Sequence, residues 1–437
     1  MLGWFFAFAS PAGAHNSLTG SEPPDGATLP AGGRLILQFA ADVPLETMSV
    51  DLVQTSGVRT PVVGLSHAAS PREVLVPLPP AITGELSLRW RLVGPDGHVI
   101  TDRLSYTVEQ PGSLAPGVPT TLPAAAEPAP PVLQNTVEPA DSPVGGFGRW
   151  LLRAGSYLAL VAAMGLAVTG RLVWPGLFLF AQARQALLVA LAAVAVLGFT
   201  QLAVLAGDIT QRSPWSALDA LNVAFRTDAG IALGVRVAVA ALAGIALAWE
   251  RTWSSVGTGR DWALLGVGVA LLGTWSFAGH ARSMRWPVVG VPVDLLHHAA
   301  AATWLGGLGV VGVIGLRILP PPDAARVVER FATIAAASVA MLGVTGLIGA
   351  ARFIEGIDSL FDPHTRLLAA KLIVLSAMLW VANVNRKRVM RWAAVGTNPR
   401  RGHIWALRRA MTTELVIGVA VIAITAVMVV TTPVIST

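Results

Sequence analysis

The stretch RQALLVALAAVAVLGFTQLAVLAG, residues 184–207, decides the fold class of most of this chain. After Arg184 no charged side chain appears until Asp208. At 1.5 Å per residue, a helix of this length crosses about 30 Å of hydrocarbon. The run therefore predicts a membrane-spanning helix.

Similar apolar runs flank this stretch on both sides. They predict eight helices, at 149–171, 184–207, 229–249, 261–279, 293–318, 328–350, 366–384 and 411–432. Only 13% of the residues are charged, against about 25% in soluble domains. We expect residues 147–437 to form an all-α polytopic membrane domain with eight transmembrane helices.

The positions of the positive charges predict an orientation in the membrane. If the first helix enters from outside, most Arg and Lys fall in inner connections, with the densest group over 386–409. Such a bias marks the cytoplasmic side. We therefore expect a protein of the cytoplasmic (inner) membrane, with its N-terminal domain and C-terminus on the periplasmic or extracellular side. The net charge of +6 then indicates topology and contact with the lipid bilayer, and no nucleic-acid partner is expected.

Three segments precede the membrane domain. Residues 1–14 end in Ala-Gly-Ala and predict a signal peptide cleaved before His15. Residues 15–110 alternate apolar and polar side chains between Pro/Gly turns, which predicts an all-β sandwich, Ig-like or cupredoxin-like. Residues 111–146 are rich in Pro and Ala and predict a linker. With no cysteine, disulfides, thiolate metal sites and a cysteine nucleophile are excluded.

The predicted new N-terminus offers metal ligands. His15 would present a free α-amine and an imidazole, and Asp96-Gly97-His98 adds a carboxylate and a second imidazole. An N,N,N,O set of this kind suits Cu(II). The alternative is an ordinary hairpin turn at Asp96-Gly97 with His98 as a surface residue. His67 lacks converging partners and is expected to be a plain surface residue.

A second group of ionisable residues falls inside the membrane domain. His280 lies at the outer end of the fourth predicted helix, and Asp294, His297 and His298 lie in the first turns of the fifth. Asp294 can reach His297 at i,i+3 or His298 at i,i+4. Intramembrane ionisable residues are costly and usually functional, so we expect a metal site here. The alternative is that the imidazoles only hydrogen-bond between helices.

Several motifs resemble a known family. The N-terminal part is similar to the periplasmic copper-binding protein CopC, and the membrane part resembles its partner CopD, as in natural CopC–CopD fusions. The motifs that carry the resemblance are His15, Ser21–Ala27, Leu35–Phe39, Arg89–Arg91, Asp96–His98, Gly279–Ala281, Asp294–Ala299 and Trp304–Gly307.

The resemblance implies a β-sandwich that binds Cu(II) through His15, Asp96 and His98. It also implies copper handling by the membrane histidines, as Cu(I) or Cu(II). Two departures matter. The β domain has only Met48, so a methionine-rich Cu(I) site is not expected there. Ala40 and Ala41 stand where family members often have an acidic residue, so no ligand is expected at that position.

The expected function is copper capture outside the membrane and transfer to the helical domain, for import, homeostasis and resistance. The protein is not expected to be an enzyme, and the chain shows no P-loop for ATP. Its expected partners are copper ions, the bilayer and other periplasmic copper proteins. Two alternatives stay open. One is a haem-binding redox protein with transmembrane histidine ligands, and the other is a passive module that buffers copper or hands it on.

Overall fold

The computed structural model describes residues 16–94, 97, 99–109, 145–250, 256, 258–278, 287–353, 363–394 and 401–430. The predicted signal peptide, most of the predicted linker, and His15, Asp96, His98 and His280 lie outside the described residues. The chain divides into two compact units. One joins Ala12–Pro143 with Ala206–Thr227, and the other comprises Met1–Pro11, Val144–Leu205 and Asp228–Thr437.

The N-terminal domain is a two-sheet β-sandwich, which confirms the predicted fold class. Its strands are β1 (Leu18–Glu22), β2 (Thr28–Leu29), β3 (Arg34–Phe39), β4 (Met48–Gln54), β5 (Arg59–Pro61), β6 (Ser66–His67), β7 (Glu73–Pro77), β8 (Gly84–Val93) and β9 (Val99–Val108). One sheet has the order β1-β3-β7-β6, and the other β2-β9-β8-β4-β5. The alternating runs at 34–39, 49–53, 73–78, 85–93 and 104–108 coincide with β3, β4, β7, β8 and the second half of β9. They missed the short strands at the sheet edges, where alternation is brief.

Alternating side chains from both sheets form the core of the sandwich. Leu35 and Leu37 from β3 and Leu88 and Leu92 from β8 have no exposed surface. Because successive residues of a strand face opposite sides, this register buries one apolar face of each sheet. Each such side chain stabilises the fold by about 1.5–3 kcal/mol. The buried core cluster contains residues of this domain alone.

The C-terminal part is helical. Its long helices are α1 (Gly146–Val168), α2 (Ala181–Thr210), α3 (Asp228–Ala248), α4 (Thr258–Ala278), α5 (Pro287–Gly309), α6 (Pro321–Phe353), α7 (Pro363–Ala394) and α8 (Arg401–Val430). Among the described residues, seven helices are long and apolar enough to cross a membrane, and α4 is not one of the seven. The prediction of eight spans is therefore supported for seven. The remaining expected span, 261–279, is a helix but is not among the seven.

Helices α1 and α5 approach each other through glycine. A Cβ built on Gly306 would collide with the Val161 carbonyl oxygen and the Gly165 backbone. Close backbone approach through small residues is the usual basis of helix association in lipid, where no hydrophobic force draws helices together. This contact fixes α5, the helix that carries Asp294, His297 and His298, against α1.

Candidate metal centres

The residue next to His15 is anchored to the sandwich. Asn16 is almost fully buried, its Nδ2 donates to the Asp42 carbonyl oxygen at 3.2 Å, and its Oδ1 accepts from the Ala41 amide at 2.8 Å. The Ala40 amide also donates to the Ser17 carbonyl oxygen at 2.9 Å. The chain leaving His15 is thus held beside the residues that follow β3.

Gly97, the middle residue of the Asp96-Gly97-His98 motif, lies between the paired strands β8 and β9. Strands β8 and β9 pair up to Val93 opposite Val99. The Gly97 amide donates to the Gly94 carbonyl oxygen at 2.9 Å, and Gly97 has a positive φ of 78°, which favours glycine. A turn is therefore present at Gly97, as the alternative interpretation of this motif predicts, and the two candidate ligands are the chain neighbours of Gly97.

Asn16 is anchored to the residues that follow β3, and β3 in turn contacts β8, the strand that leads to Gly97. β3 ends at Phe39, and its ring packs edge-on against Trp90 of β8 with the ring centroids 5.2 Å apart. Trp90 is three residues from the end of β8. His67 is exposed, and its Nε2 is 2.9 Å from the Val43 carbonyl oxygen.

In the membrane domain, α5 places its two histidines against different partners. His298 Nδ1 lies 3.3 Å from Asp294 Oδ2, one helical turn away. His297 Nδ1 lies 2.9 Å from the Thr345 hydroxyl of α6, and that hydroxyl donates to the Met341 carbonyl oxygen at 2.7 Å. The two rings have centroids 6.3 Å apart. Asp294 therefore lies beside His298, while His297 is oriented by a residue that sequence reasoning did not find.

Around Asp294, three side-chain polar atoms are fully buried in the described part of the chain. They are Ser276 Oγ, Trp275 Nε1 and His298 Nδ1. The Ser276 hydroxyl and the His298 imidazole lie beside the Asp294 carboxyl and interact with it. Carboxylate and imidazole are ligand types that copper accepts.

A stacked group adjoins this site. The Tyr157 ring stacks on Trp275 with centroids 4.3 Å apart, and the Arg236 guanidinium lies 4.3 Å from the same indole. Arg236 Nε also donates to the Thr274 hydroxyl at 2.8 Å. Together, Tyr157, Arg236, Thr274, Trp275, Ser276, Asp294, His297, His298 and Thr345 are called the polar cluster below.

The sequence signal for this cluster was incomplete. Arg236 contacts the Thr274 hydroxyl and the Trp275 ring, as a structural charge does. Ser276 and Thr345 carry no distinctive motif, because single hydroxyl residues are common in membrane helices. Within the described ranges, no group of three or more His, Asp or Glu is arranged to hold a metal by itself. His280, a proposed additional ligand, is outside those ranges.

Comparison with protein families assigns both parts of the chain. Residues 18–109 match the CopC domain, and residues 325–428 match copper resistance protein D, CopD. One chain therefore carries matches to both families. The CopC match spans β1 to β9, and the CopD match runs from α6 into α8. The two matches indicate copper handling and resistance, and the apolar helices indicate a multi-pass membrane protein.

Solved structures similar to the CopC domain include two copper proteins. CopC from Methylosinus trichosporium OB3b is 24% identical, with a TM-score of 0.21, covering 23% of this chain and 100% of that one. PcoC, a methionine-rich copper resistance protein from Escherichia coli, is 25% identical, with a TM-score of 0.19, covering 22% of this chain and 99% of that one. No curated protein matches the chain.

Proposed function

We propose that this protein captures Cu(II) on the outer side of the cytoplasmic membrane and passes copper through its helical domain into the cell. Capture belongs to the CopC domain, with His15, Asp96 and His98 as ligands. Entry belongs to Asp294, His297 and His298, with His280 at the outer end. The CopC domain and the C-terminus face the periplasm or the cell exterior, and other periplasmic copper proteins are possible donors.

The observation that carries the entry site is a carboxylate and two imidazoles together inside a membrane-spanning helix bundle. His298 Nδ1 lies 3.3 Å from Asp294 Oδ2, and the Ser276 hydroxyl is buried beside the same carboxyl. Asp294 lies seven residues after the start of α5, which is about 10 Å along the helix. A carboxylate and two imidazoles at that depth are costly unless they bind something.

Support for the capture site comes from the anchoring of its surroundings. Asn16 holds the chain after His15 against Ala41 and Asp42, and Gly97, the chain neighbour of the other two proposed ligands, lies in the turn between β8 and β9. A chelate gains affinity when its ligands are held in place before the metal arrives, because less freedom is lost on binding. Protons compete with the metal for imidazole nitrogen, so Cu(II) binding weakens as the pH falls through the imidazole range near 6.5.

The test measures copper in cells that express the full chain at matched membrane levels. His297→Ala is expected to reduce copper accumulation to that of cells without the protein, and Ser276→Ala to reduce it partly. Ser376→Ala is the matched control, because Ser376 is an exposed serine of α7 whose hydroxyl donates to the Leu372 carbonyl oxygen. Accumulation by His297→Ala cells equal to wild type would show that the histidine is structural.

The same cells distinguish the two alternative functions. A passive buffering module would leave the rate of copper accumulation unchanged when the gene is removed. A haem protein would show a Soret absorption band after purification, which a copper carrier lacks. Either result would contradict the proposal.

A further inference from the structure

The outer face of β8 is covered at the C-terminal end of the strand. Leu88 and Leu92 belong to the buried core of the sandwich, so Arg89, Arg91 and Val93 share the opposite face. Arg89 is exposed, as expected for an outer face, but Arg91 is only 9% exposed and Val93 only 1%. Arginine is rarely buried unless it is paired. Another part of the chain therefore covers this end of β8.

The segment that contacts Arg91 comes from the end of α2 and the connection to α3. Residues Ala206–Thr227 belong to the same compact unit as the sandwich. Arg91 Nη1 donates to the Asp208 carbonyl oxygen at 2.7 Å, and Arg91 Nη2 lies 3.8 Å from Asp208 Oδ1. The Gln211 side-chain amide lies against the same guanidinium. One side chain of the sandwich thus contacts a carbonyl, a carboxylate and an amide of this segment.

The C-terminal end of α2 favours a nearby cation. The last four carbonyls of a helix have no partner within the helix, and partial negative charge gathers there. Asp208 lies in the last turn of α2 and is only 2% exposed, so its carboxylate adds negative charge where a helix disfavours it. The guanidinium of arginine presents several N–H donors in a planar fork. Arg91 therefore compensates the carbonyl and the carboxylate of Asp208 together.

A second ion pair in the same segment has a different character. Arg212 Nη1 lies 3.0 Å from Asp219 Oδ1, but the two side chains are 45% and 71% exposed. Exposed pairs contribute little, because water and salt screen them. Breaking a buried pair is costly, because the remaining charge is left without water. The pair of Arg91 and Asp208 thus has the properties of a specific attachment, whereas the pair of Arg212 and Asp219 does not.

We propose that Arg91 and Asp208 form a latch that holds the CopC domain on the connection between α2 and α3. A tether made of residues 111–146 alone would let the domain move over the length of that segment. A second attachment raises the effective concentration of the domain at the place where it is held. The proposal goes beyond the proposed function, because the latch concerns the attachment of the domain and holds whether or not copper is bound.

The test uses the full chain in membranes, with a site for a specific protease inserted into the Pro/Ala-rich segment. After cleavage the membranes are sedimented, and the CopC domain is measured in the pellet and in the supernatant over time. The wild-type domain is expected to stay with the membranes. Arg91→Gln removes both contacts and should release the domain about a hundredfold faster, whereas Asp208→Asn removes the ion pair alone and should release it about tenfold faster.

Asp219→Asn is the matched control. It makes the same change in the same segment at an exposed carboxylate, so it should leave the release rate unchanged. Urea unfolding of the released domain shows whether Arg91→Gln is folded, and if it is not, Asp208→Asn decides, since Asp208 lies outside the sandwich. Rapid release of the wild-type domain, or equal release rates for wild type and Asp208→Asn, would overturn the latch.

Discussion

Individual residues in this protein gain their roles from their neighbours. Asn16 has no metal-binding chemistry of its own here, yet its two backbone contacts hold the chain that leaves His15. Thr345 likewise orients His297 through one hydrogen bond at 2.9 Å. Such supporting partners fix ring orientation and typically change metal affinity by about 10–100-fold. Ligand residues and supporting residues are therefore separable by mutation.

A first prediction concerns the capture site. His98→Ala should weaken Cu(II) binding to the CopC domain by about a hundredfold or more, because loss of a direct ligand should exceed the effect of losing a supporting partner. The electron paramagnetic resonance spectrum of the Cu(II) form should change as well. His67→Ala serves as the control and should change neither, since His67 is exposed and bonded to the Val43 carbonyl oxygen. An unaltered spectrum in His98→Ala would place the ligands elsewhere.

A second prediction concerns Tyr106. Burial raises the pKa of its hydroxyl, and the nearby Asp25 charge adds to the effect, although a hydrogen bond to Ser21 opposes it. The folded domain therefore keeps the proton at a pH where the unfolded chain, with an ordinary pKa near 10, loses it. Stability from this group is complete below about pH 10 and is lost as the pH rises above it.

Urea unfolding of residues 15–110 at pH 8 and pH 10.5 measures this effect, since the buried core of the sandwich is its own. The free energy of unfolding should fall between the two values. Tyr106→Phe should reduce that fall, while costing about 1 kcal/mol at pH 8 through its lost hydrogen bonds to Ser21 and the Pro23 carbonyl oxygen. The same fall in both proteins would show that another group is responsible.

At the scale of secondary structure, helix contacts position the entry site more than helix propensity does. α5 contains Pro292 inside the helix, where the absent amide removes the intrahelical hydrogen bond to the carbonyl of Val288. The C-terminal half of α5 is held to α1 by the close approach of Gly306 to Gly165. Because a helix transmits displacement along its axis, this contact also determines where Asp294 and the two histidines lie.

A third prediction tests that contact. Gly306→Ala should destabilise the helical domain by about 1–3 kcal/mol, the usual effect of overpacking, because the new methyl group would collide with the backbone of α1. Gly343→Ala in α6 is the control: nothing lies within 4 Å of a Cβ at that position, and alanine favours the helix by up to about 1 kcal/mol. Thermal unfolding in detergent should separate the two variants, and equal melting temperatures would contradict the close packing.

At the scale of the whole molecule, one chain contains both the proposed capture site and the proposed entry site. The CopC domain has a self-contained core, and the membrane domain has its own. Damage to one site should therefore leave the other folded. Their joint action requires only that both sites work on the same side of the membrane.

A fourth prediction tests that arrangement. The chain has no cysteine, so single cysteine variants can be labelled without background. Ser216→Cys, in the exposed turn after α2, should react with a membrane-impermeant maleimide on intact cells. Lys387→Cys, an exposed position near the end of α7, should react only after permeabilisation. The opposite pattern would reverse the orientation and contradict capture from outside.

Composition and spacing alone determined that residues 184–207 and the other long apolar runs form membrane helices. A run of that length without charges is stable in the hydrocarbon of a bilayer rather than in water. The same is true of the alternating strands β3, β4, β7 and β8. The i,i+4 spacing of Asp294 and His298 also predicted their proximity, because a helix has a fixed period. Tertiary structure alone decided the partners that lie far apart in the chain: Thr345 against His297, Ser276 beside Asp294, and Arg352 against Gly290. Those contacts depend on how separate helices pack, and packing is a property of fitted surfaces that no local pattern encodes.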